Sequence, residues 1–286
     1  MGGCAPWARA AGLDPAGSAP VTPALVLVDQ PRPWPRAVEE IEALAPLAGR
    51  ARVQLVVPAE GDRGAGRRVR AYVRRPGRAT YGRAEGRAPD GSVAALAVEL
   101  LAAAEETRAE APIEVLVCAH GARDRCCGSL GTRLALGGGG EVTVERTSHL
   151  GGHRFAPTAL TLPDGRYWAF LDADRLGAVV RRDGPVGAVL AHHRGSSLVD
   201  GPALQVLEAA AFARVGWGWD RWERAAAEEP DGTLRLDAVD ERGRAWRWSA
   251  RPGPSREIVV PPCGAGAPVV HRAPSLIGLR CDVPDA

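Results

Sequence analysis

Short apolar strands alternating with helical stretches predict an α/β fold for this 286-residue chain. Three observations carry that expectation. Apolar runs bounded by turn residues recur between residues 24 and 171, as buried strands do. Segments of helical periodicity separate them. Between residues 113 and 171 the order is strand, helix, strand and then a hairpin, the pattern of a thioredoxin-like α/β unit.

In chain order, the first twenty residues are rich in Ala, Gly and Pro and read as irregular. Ala24–Val28 is a short buried strand, Arg36–Ala45 a helix stopped by Pro46, and Arg52–Val57 and Val69–Val73 are further strands. Ser92–Thr107 is a helix with a long Ala/Leu/Val face. Ile113–Cys118 is an apolar strand that delivers Cys118 at its end, and Cys126–Leu136 is a helix stopped by the glycine run 137–140. Val142–Arg146 and Thr158–Leu162 are strands, and Pro163-Asp164-Gly165 turns into a last one over Arg166–Leu171. Beyond residue 175 the periodicity weakens. Pro185–His192 and Pro202–Val215 read as helices, the second running into a corner with Trp217, Trp219 and Trp222, and Thr233–Val239 pairs with Ala245–Ala250 as a hairpin. The division is an N-terminal α/β region over 1–110, a thioredoxin-like core over 111–183 and an accessory region over 184–286.

Composition removes several chemistries. The chain has no Lys, so no lysine Schiff base and no Walker-type phosphate loop can form. Its 36 basic and 34 acidic residues are well mixed, and the cluster Arg67, Arg68, Arg70, Arg74, Arg75 and Arg78 is flanked by acids. That cluster reads as a solvated face, and nucleic-acid binding is not expected. With no signal-peptide pattern and no run long enough to span a membrane, the expected address is cytoplasmic, without membrane association. In a reducing compartment, clustered cysteines point to metal or catalysis rather than disulfides.

Three of the six cysteines and three of the six histidines fall in Cys118-Ala119-His120, Cys126-Cys127-Gly128 and His149-Leu150-Gly151-Gly152-His153. Sulfur and imidazole donors in this mixture suit iron–sulfur clusters, zinc or copper better than magnesium or calcium. Gly151-Gly152 makes the His pair a loop rather than a helix face, letting both rings converge. Adjacent cysteines do not easily reach one small centre, so one of Cys126 and Cys127 is a ligand and the other a packed thiol. Arg123 and Arg125 are placed to favour thiolates, and Asp124 to pair with an Arg or hold an imidazole. Cys118-Ala119-His120 has the form of a Rieske ligand pair, but no later Cys-x-x-His completes it, and no Cys-x-x-Cys is present. Cys4, Cys263 and Cys281 lie far from the motifs and read as free thiols, and the pair His192-His193 as helix-end capping.

With these motifs the chain resembles the sucrase/ferredoxin-like family, whose thioredoxin-like ferredoxin domain carries a [2Fe–2S] cluster. The resemblance rests on Cys118-Ala119-His120-Gly121-Ala122-Arg123-Asp124, on Cys127-Gly128 and on His149-Leu150-Gly151-Gly152-His153-Arg154-Phe155-Ala156, with weaker echoes at Ala10–Pro20 and Arg194-Gly195-Ser196. It implies two Cys on one iron and two His on the other, the ligands being Cys118, Cys127, His149 and His153. Cys127 is preferred because it directly precedes Gly128, and Cys126 is the alternative.

The expectation that follows is an electron-transfer protein with an unidentified redox partner protein, rather than an enzyme in its own right. Imidazole ligands raise the potential of such clusters, and one that loses its second proton couples electron to proton, so the potential falls as pH rises. A structural zinc module on the same Cys2His2 set is the alternative. A third reading is a thiolate nucleophile with His120 as base. The carboxylate pairs Asp172/Asp174 and Asp237/Asp240 have no catalytic context, so glycoside hydrolysis is not expected.

Overall fold

The computed structural model describes residues 4–59, 61, 66–137, 144–262 and 267–283. In chain order these form α1 (Cys4–Ala10), β1 (Ala24–Asp29), β2 (Arg52–Val56), β3 (Arg67–Val73), β4 (Gly82–Ala88), α2 (Val93–Glu106) and β5 (Glu114–Cys118). Next come a π turn over Cys127–Gly131, α3 (Thr132–Gly137), β6 (Val144–Thr147), β7 (Ala159–Leu162), β8 (Arg166–Trp168), α4 (Ala173–Arg181), α5 (Gly187–Leu190) and β9 (His193–Ser196). The last third holds α6 (Pro202–Val215), β10 (Glu223–Glu228), β11 (Leu234–Val239), β12 (Ala245–Val260) and β13 (Val269–Asp282). The architecture is mixed α/β, with a nine-stranded sheet ordered β4-β3-β1-β2-β6-β5-β7-β8-β9 and a four-stranded sheet ordered β10-β11-β12-β13.

The strands read from apolar runs are mostly buried. β5 is buried at every residue and lies between β6, to which it is parallel, and β7, to which it is antiparallel. β1 pairs parallel with β2 and antiparallel with β3. Buried Val93, Ala97, Leu100 and Ala104 give α2 one apolar face at i, i+4 and i+3 spacing, packed in one core with β1 and β3.

Several elements depart from the sequence reading. Arg36–Ala45 is two 3-10 turns, Val38–Glu40 and Glu42–Leu47, because Ile41 between them is extended at φ −89 and ψ 99. β4 has the sequence GRAEGRA and no apolar alternation. A Cβ at Gly82 would sit 1.9 Å from the Ala104 carbonyl oxygen, so the glycine that hides the strand is what lets α2 approach it. The sheet's β6 spans Val144–Thr147, and the remainder of Val142–Arg146, like 138–140 of the glycine run, lies outside the described residues. α1 forms where the first twenty residues read as irregular, and α4, β9, β10 and β13 have no counterpart in the sequence reading; β12 and β13 are long antiparallel strands with irregular register. His192 and His193 therefore do not cap a helix end. His192 Nδ1 lies 2.9 Å from the Ala169 carbonyl oxygen, and His193 is buried in β9.

The arginine cluster is not wholly a solvated face. Arg68 does meet Glu85 across the strand pair, and Arg83 meets it within β4, but Arg70 is buried against Asp29, Glu114 and Glu145. Trp219 and Trp222 are core residues, packed with Trp246 and Trp248 where α6 meets the small sheet. Asp172 caps α4, its Oδ1 accepting from the Arg175 amide, and Asp240 accepts from the Arg242 and Arg244 amides, so neither acid is free for catalysis. Cys4, expected as a free thiol, is disulfide-bonded; Cys281 is free, and Cys263 lies outside the described residues.

Candidate metal centre

The site gathers where β5 and β6 end. Backbone bonds fix the strand end: the Cys118 amide donates to the Thr158 carbonyl and the Ala119 amide to the Thr147 carbonyl. The chain then turns through 119–125 into the π turn. Asp124 starts that turn, its Oδ1 accepting from the amides of Cys126 at 2.8 Å and Cys127 at 3.4 Å, as a carboxylate does at the first turn of a helix. A Cβ at Gly131 would lie 1.8 Å from the Cys118 carbonyl oxygen, so only glycine lets the turn pass this close to β5. After β6 the carbonyl of His149 accepts from Arg52 Nη2 at 3.1 Å and Gln54 Nε2 at 3.2 Å. Gly151 and Gly152 take φ +87 and +70, and His153 opens a short 3-10 turn, making the His pair the loop that its glycines required.

Ligand atoms of Cys118, Cys127 and His149 all lie within 4.8 Å of one another, both cysteines buried and His149 partly so. His153 stands beside this trio. Its ring centroid is 6.3 Å from that of His149, and its Nδ1 is 4.0 Å from Asp124 Oδ2. Asp124 and His153 also lie within the same 4.8 Å span of the Cys4 sulfur, but that sulfur is held in a disulfide and offers no thiolate. Cys126 turns the other way, its Sγ lying 3.8 Å from Cys4 Sγ. The adjacent cysteines thus part, Cys127 toward Cys118 and Cys126 toward α1.

Electrostatics follow from the close sulfurs. A hydrogen bond from Cys127, and others from His149 and from the His120 and Leu150 amides, hold the Cys118 thiol well below its ordinary range against burial. The same contact, with burial, pushes the Cys127 thiol up. Burial lowers His153, opposed by Asp124, so its ring is neutral near pH 7, the form a metal requires. Burial also lowers His120. Its Nε2 lies 2.8 Å from the Pro35 carbonyl oxygen and its ring edge meets Trp34, so the structure turns its side chain to Pro35 rather than to Cys118. Arg123 and Arg125 are exposed.

Two contributors had no sequence signal beyond their type, and a third appeared only within a weak echo of the family motif. Arg52 and Gln54 hold the His149 carbonyl from β2, and Arg194 of β9 donates to the Gly151 carbonyl. Long-range partners of this kind carry no spacing for a motif to show.

Fold and site together define a mixed α/β protein with Cys/His groups able to hold a metal ion. The chain belongs to the sucrase/ferredoxin-like family, whose model matches residues 16–195 and so takes in every residue of the trio and His153. No curated protein and no solved structure gives a match. Among the described residues no helix is long and apolar enough to cross a membrane.

Proposed function

We propose that this protein transfers electrons through a [2Fe–2S] cluster held by Cys118, Cys127, His149 and His153. The observation that carries the reading is the convergence of two buried sulfurs and an imidazole within 4.8 Å. The donor set fits: soft thiolates and neutral imidazoles suit iron–sulfur or zinc, and His149 Nδ1 is buried with no hydrogen-bond partner. A thioredoxin-like core is supported by β5, the π turn and α3, β6 and the β7–β8 hairpin, which follow one another as strand, helix, strand and hairpin.

Such a cluster supplies one-electron chemistry when bound. The residues set its terms. Two neutral imidazoles in place of two thiolates bring less negative charge to the site, which favours the reduced state. With Nδ1 of His153 4.0 Å from Asp124 Oδ2, Nε2 is the nitrogen that would be free for a metal, and Asp124 would face the proton on Nδ1. Release of that proton at higher pH lowers the potential.

The partner is a redox protein, and the surface suits an anionic one. His149 and His120 help line a cavity of about 500 Å³ whose wall also carries Arg36, Arg52 and Arg123, against one acid, Glu39. A cleft of one sign steers an oppositely charged partner. The reduced protein is therefore expected to pass electrons faster to an anionic iron complex than to a cationic complex of equal driving force. Raising salt should shrink the difference, since the screening length falls from about 10 Å at 0.1 M to about 3 Å at 1 M. Stopped-flow traces with the two oxidants running equally fast would defeat this.

The function itself is tested on protein purified without oxygen, by visible absorption with iron and sulfide assays. Bands between roughly 400 and 600 nm that bleach with dithionite, and about two irons per chain, are expected. Voltammetry should then show a potential falling as pH rises. A colourless protein with one zinc would replace electron transfer by a structural module.

A further inference from the structure

Four arginines are buried among the described residues: Arg70, Arg166, Arg194 and Arg224. Three of them meet carboxylates. Arg70 pairs with Asp29, Glu114 and Glu145, Arg166 with Asp164, Glu208 and Asp220, and Arg224 with Glu208. Arg194 has no carboxylate partner among the described residues. Its Nε donates to Ser18 Oγ at 3.0 Å, its Nη1 to the Gly151 carbonyl at 3.0 Å and its Nη2 to the Ser18 carbonyl at 2.6 Å. The guanidinium lies 5.4 Å from the Phe155 ring centroid and 5.5 Å from that of Tyr167. It packs so closely on Gly152 that a Cβ there would fall 2.6 Å from Nη2.

Three neutral oxygens accept one bond from each nitrogen of this group but do not balance its charge. An isolated buried cation is strongly unfavourable unless an anion faces it, and burial does pull the Arg194 pKa down, to about 10. Tyr167 opposes that pull and Arg52 adds to it; the thiolate forms of Cys127 and Cys118 are the other groups that favour the charged guanidinium.

We propose that Arg194 is the charge-balancing and positioning residue of the cluster site, clamping the Gly151–Gly152 turn that carries both histidines and supplying the fixed positive charge that favours the reduced state. This rests on the cluster reading above. Two iron(III), two sulfides, two thiolates and two neutral imidazoles carry no net charge. One electron accepted from the donor, with no bond made or broken, leaves one negative charge in the same buried region as the guanidinium.

The test compares Arg194→Gln, which keeps one donor nitrogen but removes the charge, with Arg194→Lys, which keeps the charge; neither can span Ser18 and Gly151 alike. Iron content and midpoint potential are measured in both, after the wild type. Arg194→Gln is expected to lose part of its iron, and in the protein that keeps it the reduced fraction at a fixed solution potential falls roughly tenfold or more. Arg194→Lys should stay close to the wild-type potential, even with part of its iron lost. A potential unchanged in Arg194→Gln overturns the proposal. Should Arg194→Gln not fold, a potential in Arg194→Lys displaced far below wild type overturns it, and one near wild type upholds it. A colourless wild type defeats the cluster reading and this proposal together; a coloured wild type with the unchanged glutamine variant defeats only this one.

Discussion

On the cluster proposed above, Cys127→Ser is expected to abolish iron binding, and Cys126→Ser to leave it in place. The two residues are neighbours and both buried, yet their sulfurs diverge. Cys127 shares a span of 4.8 Å with Cys118 and His149, whereas Cys126 faces Cys4 at 3.8 Å. Asp124 sets this split, since its carboxylate accepts both amides and fixes the first turn of the helix that follows. Serine keeps the size of cysteine but is a hard donor and a poor ligand for a cluster that needs soft sulfur. Iron should fall from about two per chain to under about a tenth of that in Cys127→Ser, with the visible bands gone. Cys126→Ser should retain both, and lose at most about 1 kcal/mol of stability as a packed thiol is replaced. Iron lost from Cys126→Ser and kept by Cys127→Ser would move the second thiolate to Cys126. Iron kept by both would remove this turn from the site.

The close thiols were legible because the chemistry is carried by rare residue types at short spacing. Cys118 ends an apolar strand, and His149 and His153 flank a double glycine; neither feature needs tertiary information. The choice between Cys126 and Cys127 was legible only through the motif's glycine, and its physical cause, the capping by Asp124, appears only with the turn folded. Strands fared well where both faces are buried, as in β5, and badly where charge hides the period. β4 reads as glycine and arginine because α2 covers it and acids pair along it. The extended Ile41 that divides the segment before β2 has no signature, since isoleucine itself favours neither turn nor break. Arg194 was visible only as part of an echo, because its partners lie at residues 18 and 151.

Arg166→Met is expected to be the most destabilising single change outside the site, by about 3–5 kcal/mol. Arg166 is wholly buried in β8. Its Nη2 donates to Asp220 Oδ1 at 2.6 Å, its Nη1 lies 3.2 Å from Glu208 Oε1, and its Nε 3.5 Å from Asp164 Oδ2, with the guanidinium 3.9 Å from the Phe212 ring centroid. Those acids come from the β7–β8 turn, α6 and the 3-10 corner after it, so this one cation ties the large sheet to the helix that packs on the small one. Methionine fills most of the volume but leaves three buried carboxylates to share Arg182 and Arg224. Although burial acts against it, Arg166 and then Arg224 hold Glu208 below the usual carboxylate range, and Arg166 does the same for Asp220. A depressed native value contributes stability that is full above the unfolded pKa, near 4, and is lost as pH falls through the lower native value. The variant lacks that contribution, so its deficit is full at pH 7 and narrows toward pH 4 and below, where the acids protonate in both proteins. Urea unfolding followed by tryptophan fluorescence at pH 7 and pH 4 reads both effects, Trp219 and Trp248 lying in the same core. A deficit under about 1 kcal/mol at pH 7, or one that widens on acidification, would show that Arg166 is not what holds these acids together.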